Sequence, residues 1–344
     1  MPDLFPFSIH KQFVRVARRI ATACLVCGSL LALGGCTRLQ VKMGMKVPLM
    51  KLPVTTMNGS LPKGPSIAPG RKSPLVVTFT STDGKTYVTE GQGQGKIMWK
   101  DLNVTATVAS VNKKGIVSIP RDPRLTDGKV PHVTISAPSH PDLHAELDVP
   151  VRYDVAFAAD FSGSNGSNGA DGMNGMNGSS GSMGSIDLDN PSPGGNGSDG
   201  TNGTDGSNGG SGGDAPPVQI RVALRSGDHP LLQIGVCAEG HNKMFLVDPQ
   251  GGSLTVSANG GSGGRGGRGG RGGSGGSGGS GTPSGSSGHD GLSGQDGIAG
   301  SDGRGGLITV TYDPLAKPYL GVIHLSNSNG PRPVFVEQPV SALW

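Results

Sequence analysis

Between residues 74 and 156 the apolar and β-branched positions come in short runs separated by turn residues: Pro74–Thr80, Tyr87–Glu90, Leu102–Ser110, Ile116–Ile119, His132–Ala137 and Leu143–Tyr153. Such runs predict strands, and Asp83-Gly84 between the first two suits a tight turn. Their spacing predicts a small antiparallel β-sandwich over 71–156, with Trp99 as a core or edge aromatic. An immunoglobulin-like form is one version of it, although no Cys–Trp–Cys pattern is present. A second set of strands is predicted further along. Val218, Ile220, Val222 and Leu224 alternate with polar or small residues, as do Leu232, Ile234 and Val236, then Leu254 and Val256, then Ile308, Val310 and Tyr312. The runs Phe157–Phe161, Met244–Val247, Tyr319–Leu325 and Val334–Val336 complete this set.

Between these strands the period changes from two to three. Glycine recurs at every third position from Gly163 to Gly184, Gly194 to Gly212, Gly260 to Gly281 and Gly285 to Gly306. A polyproline II-type helix has three residues per turn, so this period leaves one face without side chains. Neighbouring backbones can approach there, with N–H and Cα–H groups meeting carbonyls. Collagen and folded-back polyglycine II helices both use such a face. The periodic runs contain no proline, and Pro191, Pro193 and Pro283 all fall in the interruptions, whereas collagen normally carries about 15–20% proline or hydroxyproline. The runs 163–184, 260–281 and 285–306 are each 22 residues and 194–213 is 20, joined by Ser185–Pro193 and Thr282–Ser284. Matched arms with short links predict two antiparallel hairpins, 163–213 and 260–306. Together they form an antiparallel four-helix polyglycine II bundle carried on a β-sheet domain spanning 157–344. The overall class is mainly β. From Gly260 the repeat is Gly-Gly-x, bare on two faces, which predicts the most buried arm. The other arms carry Asn or Asp at the third position and are expected to bond to adjacent backbones. Leu292 and Ile298 are expected to lean on a neighbouring sheet.

The N-terminus is organised differently. Lys11, Arg15, Arg18 and Arg19 precede an apolar run of 14 residues, Ile20–Leu33, which suits a signal peptide and is short for a membrane span. It ends in Leu33-Gly34-Gly35-Cys36. This motif resembles the lipobox of bacterial lipoproteins: a branched apolar residue, two small residues, then Cys. Cys24 and Cys27 fit the pattern less well. The resemblance implies a diacylglyceryl group on the Cys36 sulfur, cleavage before Cys36, and membrane lipid as a partner. Thr37 stands where that family's inner-membrane retention signal would be Asp, which implies the outer membrane. The expected layout is then a signal peptide over 1–35, a lipid anchor and extended proline-rich tether over 36–70, the sandwich, and the Gly-rich domain. Cleavage would remove four basic residues and one acid, taking the formal charge from +4 to +1. The basic character therefore gives no support to a nucleic-acid role. Of the 4 cysteines only Cys36 and Cys237 would remain, so no disulfide is expected.

The repeat grammar over about 160–310 is also similar to that of polyglycine II proteins, including the Gly-rich adhesins at the fibre tips of some tailed phages. There the bundle presents receptor-binding loops. The resemblance implies that Ser185–Pro193 and Thr282–Ser284 are the analogous positions.

Chemistry-bearing motifs are few. Gly272-Gly273-Ser274-Gly275-Gly276 matches G-x-S-x-G but lacks a strand–helix elbow. Gly194–Asp199 opens like a calcium nonapeptide, but its period is three. His140 with His144, and Cys237 with His241, fall short of a zinc ligand set. Asp290, Asp296 and Asp302 are spaced too far apart to share one ion. The row Arg265, Arg268 and Arg271 repeats about every 9 Å and is a candidate polyanion site, able to hold phosphates bidentately. The competing reading is a solvated face, or pairing with the Asp rows. The expectation is a non-enzymatic, membrane-anchored envelope lipoprotein displaying a Gly-rich bundle for adhesion, binding or envelope structure. It needs no cofactor, metal or nucleic acid, and its candidate partners are an envelope polysaccharide, lipopolysaccharide or protein. A monomer is favoured over a trimer. The alternatives are a collagen-like trimeric surface stalk and an accessory envelope enzyme.

Overall fold

The computed structural model describes residues 37–344 except 226 and 228. Cys36 and the expected signal peptide lie outside the described residues. The chain is mainly β, in several small sheets. It divides into two compact units, one ending at Val151 and the other comprising Arg152–Trp344 with the short insert Asp122–Arg124.

A short helix, Thr37–Lys42, opens the first unit. Nine strands follow: β1 (Val54–Ser60), β2 (Lys72–Pro74), β3 (Val76–Ser81), β4 (Thr86–Val88), β5 (Asn103–Thr107), β6 (Ser110–Val111), β7 (Ile116–Ser118), β8 (His132–Ala137) and β9 (His140–Asp148). They form three three-stranded sheets, ordered β1-β3-β4, β2-β7-β6 and β5-β8-β9. In β3 and β8 burial alternates strictly, so Val77, Phe79, Val133 and Ile135 face one core with Leu49, Ile97 and Val117. Each such side chain contributes about 1.5–3 kcal/mol by leaving water. Asp83-Gly84 forms the β3–β4 turn with Gly84 at φ +78°, and Trp99 is a buried core aromatic.

The tether expected over 36–70 is largely absent. Strand β1 pairs antiparallel with β3, Ile67 bridges to Val151, and Leu49, Val54, Leu61 and Ile67 are buried. The apolar residues between the prolines decide the outcome: burying four of them offsets the ordering of this segment. Gly59 gives the β1 backbone room, because a Cβ there would fall 2.8 Å from Ile135 Cδ1.

The second unit contains β10 (Ala156–Asp160), β11 (Val218–Arg225), β12 (Leu231–Ala238), β13 (His241–Val247), β14 (Ser253–Ser257), β15 (Ile308–Tyr312), β16 (Ile323–Ser326) and β17 (Val334–Glu337). One sheet is the parallel set β10-β14-β16, and the other is ordered β13-β12-β11-β15-β17. Their apolar residues share a core built on Ile220, Val222, Ile234, Val236, Leu254, Val256, Ile308 and Val310. The predicted run Tyr319–Leu325 is split. Pro314–Val322 is a 3-10 helix capped by the Asp313 carboxylate, which accepts from Leu315 N–H at 2.9 Å, and only Ile323 onward is strand. The Asp-Pro start and internal Pro318 suit a tight helix better than a sheet.

Two parallel strand pairs carry the Gly-rich segments. Strands β10 and β14 lie side by side and lead into residues 163–184 and 260–281; β11 and β15 receive the chain after 213 and 306.

Candidate binding surface: four arms and their joined tips

The Gly-rich segments are hereafter arm 1 (163–184), arm 2 (194–213), arm 3 (260–281) and arm 4 (285–306). Hydrogen bonds join them at every third residue. Gly169 N–H donates to Arg265 O at 2.7 Å, linking arm 1 to arm 3, and Gly203 N–H donates to Leu292 O at 2.9 Å, linking arm 2 to arm 4. Both of these pairs are parallel. Thr204 N–H donates to Met173 O, Gly270 N–H to Thr204 O, and Gly294 N–H to Gly270 O, at 2.8–2.9 Å; these links, arm 2 to 1, arm 3 to 2 and arm 4 to 3, are antiparallel. Arms 2 and 3 thus touch every other arm. Arms 1 and 4 exchange no hydrogen bond among the described residues.

Glycine is required by contact here. A Cβ on Gly267 would lie 1.9 Å from Ala170 O of arm 1, and one on Gly266 would lie 1.9 Å from Gly297 O of arm 4. Both bare faces of the Gly-Gly-x arm are therefore occupied. Gly261, Gly264, Gly267, Gly270, Gly273, Gly276 and Gly279 are buried along the whole of this arm, whereas in arm 4 burial is confined to Gly303, Gly305 and Gly306 at the sheet end.

Side chains complete the network. In arm 1, Asn165, Asn168, Asp171, Asn174 and Asn177 accept, through Oδ1, from backbone N–H groups of arm 3 at 2.8–3.0 Å. In arm 2, Asn196, Asp199, Asn202, Asp205 and Asn208 do the same for arm 4 at 2.7–2.9 Å. Hydroxyls of Thr201, Thr204 and Ser207 on arm 2 accept from Met176, Met173 and Ala170 N–H at 2.7 Å. Where arm 2 instead has Gly210 or Gly213, the facing residue of arm 1 is Ser167 or Ser164, whose Oγ lies 3.0 Å from the missing Cβ position. The register comes from the sheets. Ala156 pairs with Ser253 in β10/β14, and the same separation of 97 residues recurs from Asn165–Ser262 to Asn177–Ser274. The separation of 90 likewise runs from Asn196–Ser286 into β11/β15.

The far ends of the arms join. Thr282 N–H donates to Ser192 O and Gly194 N–H to Pro283 O, both at 2.9 Å, so the two hairpin links make one tip. Ser185 and Ser192 close the longer link through Ser192 N–H to Ser185 O and Ser185 N–H to Ser192 Oγ. On it Ile186 and Leu188 are 74% and 96% exposed, beside Asp187 and Asp189, and Met183 at the end of arm 1 is 86% exposed.

Arg265, Arg268 and Arg271 stand exposed on arm 3, and their guanidinium groups make no ion pair among the described residues. Acids bracket them. Asp171 accepts from Arg268 N–H, and Asp302, Asp296 and Asp290 of arm 4 accept from Gly263, Gly269 and Gly275 N–H at 2.7–2.8 Å. The row is charge-balanced by its neighbours rather than a purely cationic strip. Leu292 and Ile298 do not lean on a sheet: they are 72% and 74% exposed, because the first side-chain position of arm 4 faces away from arm 3. His140 Nε2 lies 3.0 Å from Leu52 O, and Cys237 is a half-buried free thiol. Among the described residues no group of three His, Cys, Asp or Glu could hold a metal ion, and no helix is long and apolar enough to cross a membrane.

No protein-family model matches this chain, and no curated protein matches it.

Proposed function

We propose that the Gly-rich arms are polyglycine II helices forming a rigid four-helix rod, and that the protein is a non-enzymatic envelope lipoprotein that uses this rod to present a binding tip. At about 3.1 Å per residue, a 22-residue arm is roughly 65–70 Å long. The first unit is read as a small β-sandwich, Cys36 as the acylated anchor, and the outer membrane as the location. The observation that carries the reading is the joined tip. The exposed Ile186 and Leu188 stand on a support whose every third backbone N–H is bonded across arms. Such apolar residues beside carboxylates suit a protein or glycan receptor on a facing surface. The bare glycine faces are all used within one chain, which favours a monomer over a collagen-like trimer.

The test is surface display. Cells carrying Ile186→Ser with Leu188→Ser should keep wild-type protein level and protease protection of the arms, yet lose adhesion to host or neighbouring cells. Unchanged adhesion overturns the tip as the binding element. Radiolabelled palmitate should enter the wild type and not Cys36→Ala; equal labelling overturns the anchor.

A further inference from the structure

Strands β5 and β6 are both open edges: among the described residues β5 pairs only with β8 and β6 only with β7. Only Val108 and Ala109 separate them. Ala109 N–H donates to Thr107 O at 2.7 Å, closing a γ-turn around Val108 at φ +64°. A β-branched residue rarely adopts that conformation, and such strain concentrates at ligand-holding sites. Beyond the turn the two strands line a cleft of about 420 Å³. Leu102, Val104, Val111 and the edge of Trp99 form its apolar surface, and Lys100 and Lys113 stand at its rim. Trp99 is fixed: its Nε1–H donates to Glu90 O at 3.2 Å, and Gly115 leaves room for the ring, since a Cβ there would fall 2.1 Å from it. Lys113 sits on a turn held by Asn112 Oδ1, which accepts from Lys114 and Ile116 N–H. Both lysines are exposed and neither makes an ion pair among the described residues.

We propose that this cleft binds a short extended segment of a partner protein in which acidic and β-branched residues alternate. Open strand edges supply backbone donors and acceptors to an added strand. One face of that strand would rest on Leu102, Val104 and Val111, and carboxylates on the other would meet Lys100 and Lys113. Lysine beside an open edge also serves to keep strands away, and the two roles separate experimentally.

A fluorescein-labelled hexapeptide of alternating Asp and Val is titrated into the whole chain and followed by anisotropy. Three comparisons accompany it: the Lys/Val counterpart, the Asp/Val peptide N-methylated at alternate amides, and the variant Lys100→Glu with Lys113→Glu, whose fold is verified by circular dichroism. Saturable binding of the Asp/Val peptide is expected, weakened by roughly tenfold or more in the variant and by salt, and lost on N-methylation. The Lys/Val peptide should not bind. Absence of saturable binding, equal affinity for both charge types, or indifference to the variant or to N-methylation overturns the proposal.

Discussion

The backbone N–H of Arg268 donates to Oδ1 of Asp171 at 2.8 Å, across 97 positions of sequence. This contact recurs along arms 1 and 3 with Asn in the same role, which explains why Asn and Asp interchange at the third position of the repeat. Only the carbonyl-like oxygen is used, and both side chains carry it.

Asp171→Asn should therefore leave stability unchanged within about 0.5 kcal/mol. Asp171→Leu should cost about 0.5–1 kcal/mol, because the exposed N–H falls back on water, and should speed hydrogen exchange at the Arg268 amide. Equal exchange rates in the two variants would remove the side chain from the network.

Gly267→Ala places a methyl where Ala170 O already stands, 1.9 Å away. The backbone has no flexible partner to yield, so a loss of about 3 kcal/mol is expected in thermal or urea unfolding. Arg268→Ala, one position on but facing solvent, should change stability by less than about 0.5 kcal/mol. Similar losses in both would contradict the packing of arm 3.

In the first unit, Gly115 has φ +69° and lies against the Trp99 ring. Gly115→Ala is strained in conformation and in space, and should cost at least about 2 kcal/mol. Because the ring must move, Trp99 emission should shift even below the unfolding transition. An unshifted spectrum, recorded with Trp344→Phe to isolate Trp99, would count against the contact.

Asp160 ends β10 just before arm 1, and its carboxyl is held below the ordinary value of 3.8, first by the Ser162 hydroxyl and then by the Ser162 N–H. A carboxylate favoured in the fold contributes stability that is present above the unfolded value and is lost as pH falls through the folded one. The loss of stability as pH falls below the ordinary carboxyl value of 3.8 should thus be shallower in Asp160→Asn than in the wild type. Parallel curves would rule out a contribution from this group.

The period-three runs and their interruptions are readable directly, because a bare face needs glycine at fixed spacing. So are most strands, through Val77, Phe79, Ile220 and Val222. The partner of each arm is not readable. Gly-x-y marks that a neighbour comes close but not which one, and the parallel pairing of arms 1 and 3 follows from β10 lying beside β14, a contact between residues far apart in sequence. The same limit hides β1, whose alternation is broken by Asn58-Gly59 and whose burial depends on Ile135. At the tip, position was legible, but the joining of its two links by Thr282 and Ser192 was not.

The constant separations of 97 and 90 residues make the proposed rod a ruler graduated in triplets. One triplet added to a single arm would put every later Asn and Asp opposite the wrong amide. Only three residues added at the same level of all four arms would keep each partner, advancing the tip by about 9 Å. Reach can therefore change only in whole steps, each of which demands four coordinated insertions.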